Sequence, residues 1–137
     1  MRGLVDRFRT LPYRRPATCM LINDRTGGAV ATTLMAAKNA FQHGLGLIGR
    51  HLPPRTAMVF LMPRRQRFSL HMWFVFRPID VLFCDRAGKS LKVVSVKRRF
   101  KPFTTHTAPR QADIFIELPA DGARHVEEGD TLTPKDI

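Results

Sequence analysis

The sequence predicts a mainly β fold of the α+β kind: a small antiparallel β-barrel or two-layer β structure with one short helix packed on it. Three observations predict it. Apolar or alternating runs six or seven residues long recur at 57–62, 67–72, 79–84, 91–96 and 113–119, the signature of strands half or wholly buried in a sheet. Turn-forming stretches such as DRTGG and DRAG punctuate the chain,. A helical period appears in only one place, from Ala37 onward,. Many strands and one helix bury their apolar faces most simply as a barrel or a two-layer structure.

Taken in order, MLIND and AVATTLM read as two strands of a hairpin joined through the DRTGG turn,. From Ala37 the period changes, and Ala37, Ala40, Phe41, Leu45 and Ile48 fall on one helical stripe,. Gly44 and Gly46 weaken the last turns of this helix, Gly49 stops it, and Pro53-Pro54 prevents its continuation,. The three glycines have the spacing G-x-G-x-x-G, but a dinucleotide fingerprint follows a strand and opens a helix. Here the glycines close one, and no acid stands about 20 residues on to hold a ribose,. No cofactor is expected.

AMVFLM (57–62), the turn PRRQ (63–66) and RFSLHM (67–72) follow, with Phe68, Leu70 and Met72 inward and Arg67, Ser69 and His71 outward,. WFVFRP reads as a connection, because Pro78 cannot donate to a ladder,. IDVLFC and LKVVSV flank DRAG, in which Asp85 starts a turn and Gly88 takes the left-handed position of a hairpin,. KRRFKPFTTHTAPRQA (97–112) reads as a long basic loop, DIFIELP (113–119) as a strand, DGARHVEEGD (121–130) as a helical turn ending at Gly129, and TLT as a last short strand,.

The chain of 137 residues is expected to divide into a basic flexible extension, 1–19, and a single domain, 20–137,. The extension carries Arg2, Arg7, Arg9, Arg14 and Arg15 against Asp6 and has no apolar core of the kind a secretory signal needs,. No apolar run is long enough to cross a bilayer as a helix,. Cys19 and Cys84 are too few and too far apart for a disulfide scaffold or a C-x-x-C site, which fits a reducing, cytoplasmic setting; Cys84 reads as a core residue,. His43, His51, His71, His106 and His125 show no ligand spacing, so no metal is expected,.

Charge points to a partner. The 23 Lys and Arg against 11 Asp and Glu give a formal net charge of +12, which attracts nucleic acid or another polyanion. Arg64, Arg65 and Arg67, then Lys97, Arg98, Arg99 and Lys101, with Arg110 beyond, are placed to present cations from loops,. Trp73, Phe74, Phe76, Phe100 and Phe103 lie beside them, either as stacking platforms for single strands or folded inward over the sheet,. Two carboxylates stand in apolar strands. Asp80 follows Pro78 and must find donors, either as a structural cap or ion pair or, with Glu117 and Arg50 around one cleft, in acid/base chemistry,.

Four blocks in order, "GLIGR", "AMVFLM", "HMWFVFRPIDVLFCDRAGKSLKVV" and "APRQADIFIELPADGARHVEEGD", resemble the prokaryotic family known as domain of unknown function 192, from about Met20 to Thr133. Gly46, Leu47 and Arg50 match its helix-end motif, Met72, Pro78, Ile79 and Asp80 its central motif, Glu117 the acid of its late strand, and Gly129 and Asp130 the closing pair. Where the family commonly has the Trp, Asn and Thr of W-M-x-N-T, this chain has His71, Phe74 and Val75, so a site built on that Asn and Thr is not expected. The resemblance implies a mainly β fold, no established activity, and an archaeal-type branch without an export signal.

The leading functional expectation is a non-enzymatic β domain that binds an anionic partner, nucleic acid above all, through basic loops. The alternatives are an uncharacterised enzyme using Asp80, Glu117 and Arg50, and a structural or protein-interaction module.

Overall fold

A computed structural model describes residues 17–37, 52–72 and 77–136. They form seven strands: β1 (Ala17–Asn23), β2 (Ala29–Ala37), β3 (Thr56–His71), β4 (Ile79–Ala87), β5 (Ser90–Phe100), β6 (Thr105–Pro119) and β7 (Thr131–Asp136). The strands close into a barrel in the order β1-β2-β3-β6-β4-β5-β7. The expected barrel is therefore present, with one amendment: β2 and β3 pair in parallel, while every other pairing is antiparallel. A parallel pair needs a crossover, and residues 38–55 supply it,. The helix expected from Ala37 to Gly49 lies, apart from Ala37, outside the described residues; Ala37 itself ends β2.

Alternation explains the two cores. Leu82 and Cys84 of β4 and Ile114, Ile116 and Leu118 of β6 point into the barrel, where Leu21, Leu34, Val59, Leu91 and Leu132 meet them with no measurable exposure,. Val81, Phe83 and Phe115 point outward and are buried all the same. They are covered because β3 and β6 run on past the barrel as a two-stranded arm, Gln66–His71 against Thr105–Ala112. The arm lays Phe68, Leu70, Met72 and Ala108 over the outer face. Phe60 stacks on Phe115 at 4.4 Å between centroids, and Phe68 meets Phe115 edge-on at 5.0 Å,. The inward Phe68 and Met72 expected from the sequence are buried here, with Arg67 and Ser69 exposed.

Two expected loops are strand instead. PRRQ is not a turn, because the register slips between Leu61 and Gln66 and absorbs the extra residues as a bulge; a bulge also accommodates Pro63, which has no N–H to give. The stretch 97–112 is not a long loop. Strand β5 runs through Phe100, β6 begins at Thr105, and a second slip, opposite Arg67–Ser69, houses Pro109. Asp85 likewise stays in β4, opposite Lys92, and the hairpin turns tightly at Gly88 with φ 65°,. Residues 121–129 form a run of turns that ends at Gly129, φ 89°, and β7 realises the last short strand. Strand β1 starts at Ala17, three residues before Met20.

Candidate functional site

The two carboxylates singled out in the sequence occupy neighbouring strands but opposite faces of the sheet. Asp80 lies opposite Leu118 and Glu117 opposite Val81; directly paired residues share a face and successive residues alternate. Asp80 therefore points to the barrel side. Its Oδ1 accepts a hydrogen bond from the Arg99 N–H and its Oδ2 one from the Ala123 N–H, both at 2.9 Å. Arg99 has φ 50° at a slip in the β4–β5 register, so Asp80 fastens a bulge in β5 to the turn after β6. Buried at 1% exposure, it has both oxygens satisfied by backbone donors,.

Glu117 points the other way, into an apolar row: Met35, Met58, Glu117 and Val81 stand side by side across β2, β3, β6 and β4. Its Oε2 is sealed from solvent with no hydrogen-bond partner. Burial alone pushes its pKa up to about 8, because an ion in such surroundings loses its hydration without gaining a counter-charge. Glu117 is therefore largely a neutral acid at pH 7. Arg50, the proposed third member, lies outside the described residues. His106 on the arm packs between Phe83 and Phe100, with centroids 5.9 and 6.0 Å away. Burial, and then the charge of Lys97, lowers its pKa. Among the described residues, no group of three or more His, Cys, Asp and Glu is placed to hold a metal. Cys84 is a free, fully buried core thiol whose pKa burial raises.

The eight candidate cations divide into three groups, and all but Lys101 are strand residues rather than loop residues. Three are engaged within the molecule. Arg65 binds the Asp85 carboxylate with Nε at 3.0 Å and a terminal nitrogen at 2.9 Å. Arg98 donates to the Val126 carbonyl, and Arg99 pairs with Asp121 at 2.9 Å. Lys97 is half-buried and faces the same row as Glu117, one strand beyond Val81. The remaining four, Arg64, Arg67, Lys101 and Arg110, are exposed and belong to the arm or its connection. Arg67 is steadied by donating Nε to the Ala108 carbonyl at 2.8 Å. Phe103, next to Lys101, is 54% exposed, the one large apolar side chain so exposed among the described residues; Phe100 is buried. Trp73, Phe74 and Phe76 lie outside the described residues.

The positions of the acids sharpen this division. No Asp or Glu occurs from Arg25 to Ile79 or from Arg86 to Ala112, the two stretches that supply both strands of the arm. Several of the acids are instead engaged by internal partners. Asp113 accepts from Arg86 at 2.9 Å. Asp130, which sequence reasoning left as a motif position only, accepts from Arg25 at 2.7 Å, from buried Asn23 at 2.9 Å and from the Glu127 N–H at 2.8 Å. The Arg25 hydrogen bond is the main cause that holds its pKa down to about 2,. The G-D pair at 129–130 marked this residue in the sequence; its partners Asn23 and Arg25, more than a hundred positions away along the chain, did not show there.

Comparison with known proteins places this geometry in a family without assigning it a task. The family model described as "Uncharacterized ACR", DUF192, matches residues 21–134. A UPF0127 protein of Thermococcus sibiricus is 34% identical over 104 residues, 73% of this chain and 63% of the relative, so the chain spans less than two thirds of that protein. A UPF0127 protein of Pyrococcus horikoshii is 29% identical over 102 residues, 73% of this chain and 84% of the relative. Two crystal structures share the fold. One, described as a "putative transcription regulator" from Sinorhizobium meliloti, has TM-score 0.75 and 20% identity, covering 90% of this chain and 96% of its own. The other, a protein of unknown function from Novosphingobium aromaticivorans, has TM-score 0.69 and 17% identity, covering 86% and 91%. Matched across most of its barrel and related to archaeal proteins, the chain belongs to the DUF192 family.

Proposed function

We propose that the protein is a non-enzymatic binding module whose β3–β6 arm engages nucleic acid, single strands in particular, through their phosphates. One observation carries this reading: the exposed cations Arg64, Arg67, Lys101 and Arg110 and the exposed ring of Phe103 lie on or beside an arm that contains no acidic residue. Cations that lack competing carboxylates attract a polyanion and release its counterions on binding, and an exposed ring beside them offers a base a stacking surface. The likeness to a structure described as a transcription regulator is consistent with such a partner. Asp80 acts here as a structural fastener, and Glu117, on the other face, does not join it in one cleft. The protein works inside the cell, where nucleic acid is abundant. In its described residues no helix is long and apolar enough to cross a membrane.

The test is fluorescence anisotropy with labelled single-stranded RNA and DNA at several salt concentrations. Affinity should fall steeply with salt, and the triple variant R64Q/R67Q/R110Q should bind at least about tenfold more weakly, with a salt slope reduced by about one for each phosphate that is no longer neutralised. No binding at about 50 mM salt, where attraction is strongest, or equal binding by the triple variant, would refute the proposal.

A further inference from the structure

We infer that a second site, unrelated to the arm, binds a small phosphate ester. A cleft of about 320 Å³ opens between the β1–β2 turn, the chain entering β3 and the turns that follow β6. That volume suits a small metabolite. Arg55, Arg124 and His125 line it and are exposed. Arg55 and Arg124 form no ion pair or side-chain hydrogen bond with the described residues, so their donors are available to a ligand. The one acid in the lining, Asp121, already accepts from Arg99 at 2.9 and 3.0 Å. The cleft is therefore left with an excess of positive charge. Asn23 and Thr26 add polar groups to the lining, and the rest of it is small or apolar, with Gly28, Val30, Pro119 and Val126 among its residues, which suits the uncharged portion of an ester.

The backbone supports the same inference. Arg55 and Asp121 have φ of 58° and 70°, a conformation that costs side chains other than glycine and persists only where neighbours enforce it,. At Arg55 the enforcement is visible, since its carbonyl accepts from the N–H groups of Thr32 at 2.8 Å and Thr33 at 3.3 Å. The turn carrying Arg124 is closed by its N–H to the Asp121 carbonyl at 3.2 Å. The planar forks of two arginines, borne on backbone fixed in this way, match a phosphate better than a single-point anion.

The experiment is a ¹⁵N NMR titration of the full chain with inorganic phosphate and with adenosine monophosphate, at constant ionic strength held with chloride. The amides of Gly28, Gly122, Arg124 and His125 should shift and saturate with a Kd of roughly 1 mM or tighter. R55Q/R124Q should weaken this by at least about tenfold, while R64Q/R67Q/R110Q should leave it within about twofold. Should the double variant not fold, R124Q alone serves the same purpose. Absence of shifts in the cleft, shifts that R124Q leaves unchanged, or equal loss in the arm variant would each overturn the inference.

Discussion

Replacing Glu117 with Gln should remove a pH dependence of stability that the wild-type barrel carries. The folded carboxyl has a pKa of about 8 against an ordinary value of 4.5, because its surroundings are apolar and its Oε2 has no donor. A raised folded pKa means that the native state holds its proton more tightly than the unfolded chain. Stability from this group is thus complete below the unfolded value, and it is lost as pH rises toward the folded one. At about 1.4 kcal/mol per pH unit, integration from pH 5 to pH 8 gives a loss of about 3 to 4 kcal/mol. That is a large share of the 5–15 kcal/mol typical of a domain. Urea unfolding at pH 5, 6.5 and 8 measures it directly. The wild type should lose stability across this range, the variant should lose about 3 kcal/mol less, and the two should be closest at pH 5. Parallel pH profiles would refute the reasoning, because they would mean that Glu117 ionises in the fold as freely as in the unfolded chain.

Three further perturbations test the structure. Asp80→Ala orphans the N–H groups of Arg99 and Ala123 and should cost about 2 to 4 kcal/mol in denaturant unfolding. Gly122→Ala puts a methyl carbon 2.9 Å from both the Leu118 Cβ and the Pro119 carbonyl oxygen, so a loss of about 1 to 3 kcal/mol is expected in thermal melts analysed with a two-state model. Asp130 behaves oppositely to Glu117: its lowered pKa contributes stability above the ordinary value of 3.8 that is lost as pH falls toward about 2,. Acid unfolding followed by circular dichroism should therefore be less steep in that window for Asp130→Asn.

Much of the strand inventory was legible because burial in a sheet imposes a period of two. Phe68 and Met72 separated from Arg67 and Ser69, and the β4–β5 hairpin declared itself through Gly88. What misled local reading was proline. Pro63 and Pro109 are turn signals in isolation, yet each sits in a bulge where a strand needs no donor,. One strand was thus split in two and another cut short, and basic residues were assigned to loops that are strand. The site was only partly legible for a related reason. Asp80 and Glu117 looked like a possible pair, but register sets them on opposite faces, and register depends on pairing between segments far apart in sequence.

The sequence by itself determined the mainly β class, the excess of positive charge, the acid-free stretches and the isolation of two acids among apolar residues, because composition and period are local properties. The tertiary structure alone decided which cations have partners, which face each carboxylate occupies and that Arg55 and Arg124 line one cleft. Those outcomes depend on barrel closure and on distances between residues remote along the chain, and no local pattern encodes a distance.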